Sequence, residues 1–145
     1  MFYFLFFHFY SLNKKMVDGP NFRPPEQMRV RCYYRGADNQ QQQIIVRDFC
    51  DAKKWLIVGE YTDATVGGDA LQEMLAEASI GETIVTYDIA RIARSSERIR
   101  EIVTSLTNRS VRFVCVFGGI DTDEPRGRAI FAAANFFTRS LFSEP

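Results

Sequence analysis

The sequence has no apolar run of the ~18–20 residues that a membrane-spanning helix needs. It has no excess of either charge, since 18 Lys and Arg balance 18 Asp and Glu across 145 residues. That balance argues against a free-standing polybasic binder of nucleic acid or anionic membrane. Only three cysteines occur, Cys32, Cys50 and Cys115, far apart and with no CxxC spacing. Neither a disulfide scaffold nor a zinc knuckle fits, and three separate thiols suit a reducing cytoplasm. The single histidine, His8, stands alone in an aromatic run and reads as incidental rather than as a ligand or base. No GxxxxGK[ST] loop exists, and no GxGxxG follows the first strand, which leaves nucleotide binding a weak alternative. What remains is an ordinary globular composition, 46% hydrophobic and 25% charged. The length suits one domain with one core.

Residues 1–27 differ from the rest. Met1 to Tyr10 reads MFYFLFFHFY, followed by Lys14, Lys15 and the Gly/Pro-rich stretch DGPNFRPPEQ. No basic residue precedes the apolar stretch and no Ala-x-Ala-like site follows it, so a signal peptide fits poorly. A disordered or mis-started leader is the expectation, with Met16 and Met28 as later starts. A targeting or membrane-touching segment is the alternative.

From Met28 onward, strand-like and helix-like segments alternate. Arg29 to Tyr34 predicts a first strand and Asn39 to Lys53 a helix, with Ile44, Ile45, Phe49 and Ala52 at helical spacing. Trp55 to Tyr61 predicts a second strand, Asp63 to Gly68 a loop, and Ala70 to Ala78 a helix. Thr83 to Tyr87 predicts a third strand, Ser95 to Thr107 a helix, and Val111 to Phe117 a buried fourth strand. Pro125 to Phe142 predicts a long C-terminal helix. The fold class is therefore α/β, a mainly parallel sheet flanked by helices. Right-handed crossovers place the functional loops at the carboxyl ends of the strands.

Those loops carry arginines. Arg35 follows the first strand, and Arg91 and Arg94 follow the third. All three are expected on one rim of the sheet. Clustered guanidinium groups recognise carboxylates or phosphates by bidentate hydrogen bonding. Surface ion pairs with Asp88 or Glu97 are the alternative.

Four segments, in order, resemble the catalytic domain of serine recombinases, the resolvase/invertase family. Tyr33-Tyr34-Arg35-Gly36-Ala37-Asp38-Asn39-Gln40 resembles its Y-x-R-V-S-T-x-x-Q opening. Ile89-Ala90-Arg91-Ile92-Ala93-Arg94-Ser95 resembles its L-D-R-L-x-R-S segment. Ile120-Asp121-Thr122 with Pro125, Gly127 and Arg128 resembles I-D-T-x-x-P-x-G-R, and Phe137 to Leu141 resembles F-E-R-x-L. The resemblance covers residues 28 to about 144 and implies phosphoryl transfer in DNA. A serine hydroxyl attacks a backbone phosphate and leaves a 5′-phosphoserine link, which conserves the bond energy. Arginines stabilise the charge on the non-bridging oxygens. The resemblance implies no cofactor and no metal. By the match, Arg35, Arg91 and Arg94 would clamp the phosphate, with Tyr33, Arg128 and Arg139 as further candidates for the same pocket.

The departures fall on the chemistry. The nucleophile position is Ala37 and the aspartate position of the second segment is Ala90. No serine or threonine lies near Ala37 in its loop, and an Asp38 ester would be labile. Asp88, two residues before Ala90, would share its face on an extended strand. Val66-Gly67-Gly68-Asp69-Ala70 stands where the family has G-x-S-G and a following Arg-Pro, as if residues were deleted. The terminal helix is about one turn short between Gly127 and Phe137. A domain that cannot cleave DNA is the expectation, and natural decay fits this pattern better than an engineered knockout.

Three of the basic and two of the acidic side chains lie in residues 1–27, leaving 28–145 with 15 and 16, net −1. No helix-turn-helix module fits after the terminal helix. DNA is thus the expected partner, bound weakly by this chain alone. The apolar groups Phe131, Phe136, Phe137, Leu141 and Phe142 predict either a helix that closes its own core or a dimer. That dimer would form with a second copy or with an intact recombinase, giving a non-catalytic regulatory module. No membrane partner is expected.

Overall fold

The first strand, β1 (Arg29–Arg35), buries both of its faces, Val30, Cys32 and Tyr34 on one and Tyr33 on the other. Such a strand needs a layer on each side. The computed structural model describes residues 26–66 and 68–131 and supplies both layers. After β1 come α1 (Asn39–Ala52), β2 (Leu56–Asp63), α2 (Asp69–Glu77) and β3 (Thr83–Thr86). A 3-10 turn (Ile89–Arg91), α3 (Ser96–Asn108), β4 (Arg112–Cys115) and β5 (Ile120–Asp121) complete the order. Residues 125–131 are helical.

The sheet runs β2-β1-β3-β4-β5. Its first four members are parallel and β5 returns antiparallel to β4. Val46 and Cys50 of α1 pack on Val30, Cys32, Tyr34, Val85 and Val114. On the other face, α2 and α3 bring Leu71, Met74, Ile102, Val103 and Leu106 against Tyr33, Ile84 and Phe113. Each such side chain contributes roughly 1.5–3 kcal/mol on burial. This is the mainly parallel α/β sheet that the alternation predicts.

The differences lie at the end of the chain. The fourth strand covers Arg112–Cys115 rather than residues 111–117, because a turn at Val116–Gly119 reverses the chain into β5. A two-residue strand is too short for any period to announce it. The long C-terminal helix is described only over residues 125–131. Its remainder, the leader up to residue 25, Gly67 and Arg139 lie outside the described residues.

Asp63, the last residue of β2, ties the short connection to α2. Its carboxylate accepts hydrogen bonds from the backbone N–H groups of Ala70 (3.1 Å) and Leu71 (2.9 Å) and from the Tyr33 hydroxyl (3.0 Å). It thus caps α2 from outside that helix. Asp63→Ala is expected to destabilise the fold by about 2–3 kcal/mol, one part from the lost cap and one from a stranded Tyr33 hydroxyl. A urea titration checks this; a loss below about 0.5 kcal/mol would show that water replaces the carboxylate.

At the amino ends of the strands, Asp121 pairs with Arg112 and accepts the N–H of Asp123 (3.0 Å). The Phe113 N–H donates to Thr122 Oγ1 (2.9 Å). A Cβ on Gly127 would stand 1.8 Å from the Asp121 carbonyl oxygen. Only glycine lets the helix at 125–131 approach β5 this closely. The I-D-T segment and its glycine are therefore architectural.

Candidate functional site at the carboxyl edge of the sheet

In a parallel sheet the crevice lies beyond the carboxyl ends of the strands. Here β1 ends at Arg35, and β3 runs through Tyr87 and Asp88 into the 3-10 turn. The two strands pair directly, so their loops meet. Arg35 is 8% exposed. One terminal nitrogen of its guanidinium donates to the Ala90 carbonyl oxygen. The other, Nη1, is buried and has no hydrogen-bond partner among the described residues. An unpaired buried guanidinium nitrogen is costly, and such groups concentrate where ligands bind.

Arg91 lies across from it. Its Nη1 donates to the Arg35 carbonyl oxygen at 3.0 Å and to Asp38 Oδ1 at 3.1 Å. Its Nη2 donates to Asp38 Oδ2 at 3.1 Å, so the carboxylate is held in a two-pronged fork. Its Nε stands 3.5 Å from Asp88 Oδ1, without the alignment of a hydrogen bond, so that contact is electrostatic alone.

Gln42, buried in the first turn of α1, joins the two loops. Its Oε1 accepts the Arg35 N–H (3.1 Å), and its Nε2 donates to the Arg35 carbonyl (2.7 Å) and to Asp38 Oδ1 (2.8 Å). Between Arg35 and Asp38 the chain turns at Gly36, φ +105°, and exposes Ala37. The side chain at the turn is a methyl group.

Three described side chains of the surrounding elements are not activated nucleophiles. Burial, together with the Asp63 carboxylate, holds the Tyr33 phenol well above its ordinary range. Burial likewise pushes the Cys115 thiol up to about 12. The Ser95 hydroxyl accepts the Arg98 N–H at 3.1 Å as the cap of α3. Among the described residues no group of three or more metal-ligating side chains converges.

Residues 31–141 match the family profile described as the resolvase N-terminal domain. The chain belongs to that family. Its relatives include the DNA-invertase of Escherichia phage P1, 28% identical over 103 residues, which are 68% of this chain and 54% of that protein. The DNA-invertase of Enterobacteria phage P7 is 27% identical over the same extents. The resolvase domain thus spans about half the length of the curated relatives it matches. Among solved structures, it resembles the N-terminal catalytic domain of TP901-1 integrase, with TM-score 0.66 and 24% identity, over 79% of this chain and 98% of that one. It also resembles a resolvase family site-specific recombinase from Streptococcus pneumoniae, with TM-score 0.68 and 19% identity, over 81% and 91%. These last two establish the fold.

The resolvase domain brings Arg35 and Arg91 together, with Ala37 and Ala90 beside them. Arg94 does not join this network; it is exposed, with no hydrogen-bond or ion-pair partner among the described residues. Tyr33 is fully buried under the site and bonded to Asp63, so it does not face a ligand. Arg128 stands at the opposite edge of the sheet, where it donates to the carbonyls of Thr122 and Asp123. It is not part of this pocket. Asp88 does not share a strand face with Ala90, because β3 stops at Thr86 and residues 89–91 coil. It faces Arg91 instead. Gln42 was hidden in the run Gln40–Gln43; only its spacing of four from Asp38 set it apart.

Proposed function

We propose that this chain is a serine recombinase catalytic domain that has lost the bond-breaking step of DNA strand exchange. The observation that carries this reading is the methyl group of Ala37 at the exposed turn between Arg35 and Asp38. In the family chemistry a serine Oγ–P bond forms while the P–O3′ bond breaks. A methyl carbon has no lone pair to form the new bond, and no hydroxyl stands in the 36–38 loop to replace it. The paired Arg35 and Arg91, on the edge where a resolvase domain would meet a phosphodiester, support the DNA part of the reading. Loss of a nucleophile with retained binding groups costs several orders of magnitude in rate.

The test is direct. The chain is incubated with a labelled pool of nicked suicide duplexes of randomised sequence, beside an intact recombinase on its own site. Label migrating with the intact protein, and none with this chain, is the expected result. A covalent adduct on this chain overturns the reading. Of the apolar residues that predict either a helix closing its own core or a dimer, Phe131 packs onto Phe113, with ring centroids 6.1 Å apart.

A further inference from the structure

The same loop differs from the family pattern at the residue after Ala37, and the structure gives that difference a consequence of its own. We propose that Asp38 is an internal occupant of the oxyanion site, seated on Arg91 where a phosphate group would sit. This rests on the reading above only for the nature of the ligand displaced. The geometry is that of anion recognition: both carboxylate oxygens lie 3.1 Å from the two terminal nitrogens of one guanidinium. Arg91 has few donors left. Its Nη1 also serves the Arg35 carbonyl and its Nε faces Asp88.

Two neighbours hold the carboxylate in place. The buried Gln42 donates to Oδ1 at 2.8 Å and is itself fixed by both backbone groups of Arg35. Gly36 makes room for the contact. A Cβ there would come within 3.2 Å of both Arg91 Nη1 and Asp38 Oδ1, tighter than side chains ordinarily pack, at a φ of +105° that other residues rarely adopt. The family pattern Y-x-R-V-S-T has valine at the position of Gly36 and a threonine, without charge, at that of Asp38. Gly36 and Asp38 therefore form one device, a turn that closes a carboxylate onto the arginine. The Asp38 side chain is 49% exposed, so the latch faces the solvent through which a ligand would arrive. Meanwhile the buried Arg35 Nη1 is left without a partner among the described residues.

A tethered anion competes with a free one through its effective concentration, which is in the millimolar range or above for short tethers. Free phosphate should then bind poorly until the carboxylate is neutralised. The experiment titrates inorganic phosphate and, separately, dimethyl phosphate into the full chain. The readouts are the NMR signals of the Gly36 and Ala37 amides and of the Arg91 Nε–H. In Asp38→Asn and in Asp38→Thr, both probes are expected to shift these signals saturably, with an apparent Kd on the order of tenfold lower than in the parent chain. Asp48→Asn, which removes one exposed negative charge from α1 outside the site, should behave like the parent. The proposal is overturned if the parent binds as tightly as the Asp38 variants, or if Asp48→Asn gives the same gain through net charge alone. Binding of inorganic phosphate but not of the diester would overturn the assignment of the seat to a DNA phosphate. Adduct formation in the suicide assay concerns Ala37 and leaves this titration intact.

Discussion

Glu82→Gln is expected to lower the stability of the fold by about 3 kcal/mol, the low end for breaking a buried ion pair. Glu82 is 6% exposed, immediately ahead of β3. It accepts from Arg31 Nε at 2.6 Å and Nη2 at 3.3 Å, and from the Ser79 N–H at 3.2 Å. Arg31 in turn donates to the Tyr61 hydroxyl (2.6 Å), which bonds Glu77. One carboxylate thus anchors β1, the approach to β3, and the end of α2. An amide in its place keeps the volume but turns an NH2 toward one of the guanidinium donors and leaves Arg31 only the half-exposed Glu77, 3.3 Å away, as a counter-ion. For a domain of this size the loss corresponds to a fall in Tm of about 10 °C.

The same residue gives the fold an acid limb. Burial pushes the Glu82 carboxyl up, but the hydrogen bonds from Arg31 and Ser79 and the Arg29 charge outweigh it, and the net shift is downward from the ordinary 4.5. Asp121 is lowered in the same way: burial opposes, and Arg112 and the Asp123 N–H prevail. A carboxyl whose folded pKa lies below its unfolded one contributes its full stability above the unfolded value. That contribution is lost as pH falls through the folded value. Stability measured by urea between pH 7 and pH 3 should therefore decline below about pH 4.5 in the parent chain, and less steeply in Glu82→Gln. An unchanged acid limb in the variant would show that Glu82 titrates in the folded state as it does in the unfolded one.

The alternation of strands and helices was legible because the strands are short and rich in β-branched and aromatic residues, and α1 to α3 carry apolar residues at helical spacing. The carboxyl-edge meeting of Arg35 and Arg91, 56 residues apart, followed from two parallel neighbouring strands. Tertiary pairings that no period encodes were not legible. Arg31 and Glu82 are 51 apart, and each reads in isolation as a surface charge. Gln42 is one of four consecutive glutamines, and only its inward position on α1 makes it the joint of the site. Arg128 misled for the opposite reason. It follows Gly127 in a family-like segment, but the β4–β5 reversal carries that segment to the amino edge of the sheet. A motif gives order along the chain, whereas proximity depends on which way each strand runs.

Restoring the serine alone is expected to restore nothing measurable. In Ala37→Ser, a hydroxyl returns to the turn, but an unactivated serine is a weak nucleophile. Its attack would place charge on the non-bridging phosphate oxygens, and the donors that should meet that charge must be free and aimed at it. Arg91 is engaged by Asp38, and position 90 offers Arg35 only a backbone carbonyl. Loss of a single oxyanion donor elsewhere costs roughly 10²–10³ in rate. The combined variant Ala37→Ser, Asp38→Thr, Ala90→Asp supplies the hydroxyl, vacates Arg91 and returns a carboxylate beside the guanidinium pair. Its yield of covalent adduct on the suicide duplex pool should exceed that of Ala37→Ser by about 100-fold or more, on the same oxyanion-donor scale. Equal and measurable yields from the single and triple variants would mean that the Asp38 latch is no barrier to phosphate. No adduct from either would place the decisive loss outside these three positions, among the other departures from the family pattern, such as the Val66 to Ala70 segment without its serine and following arginine.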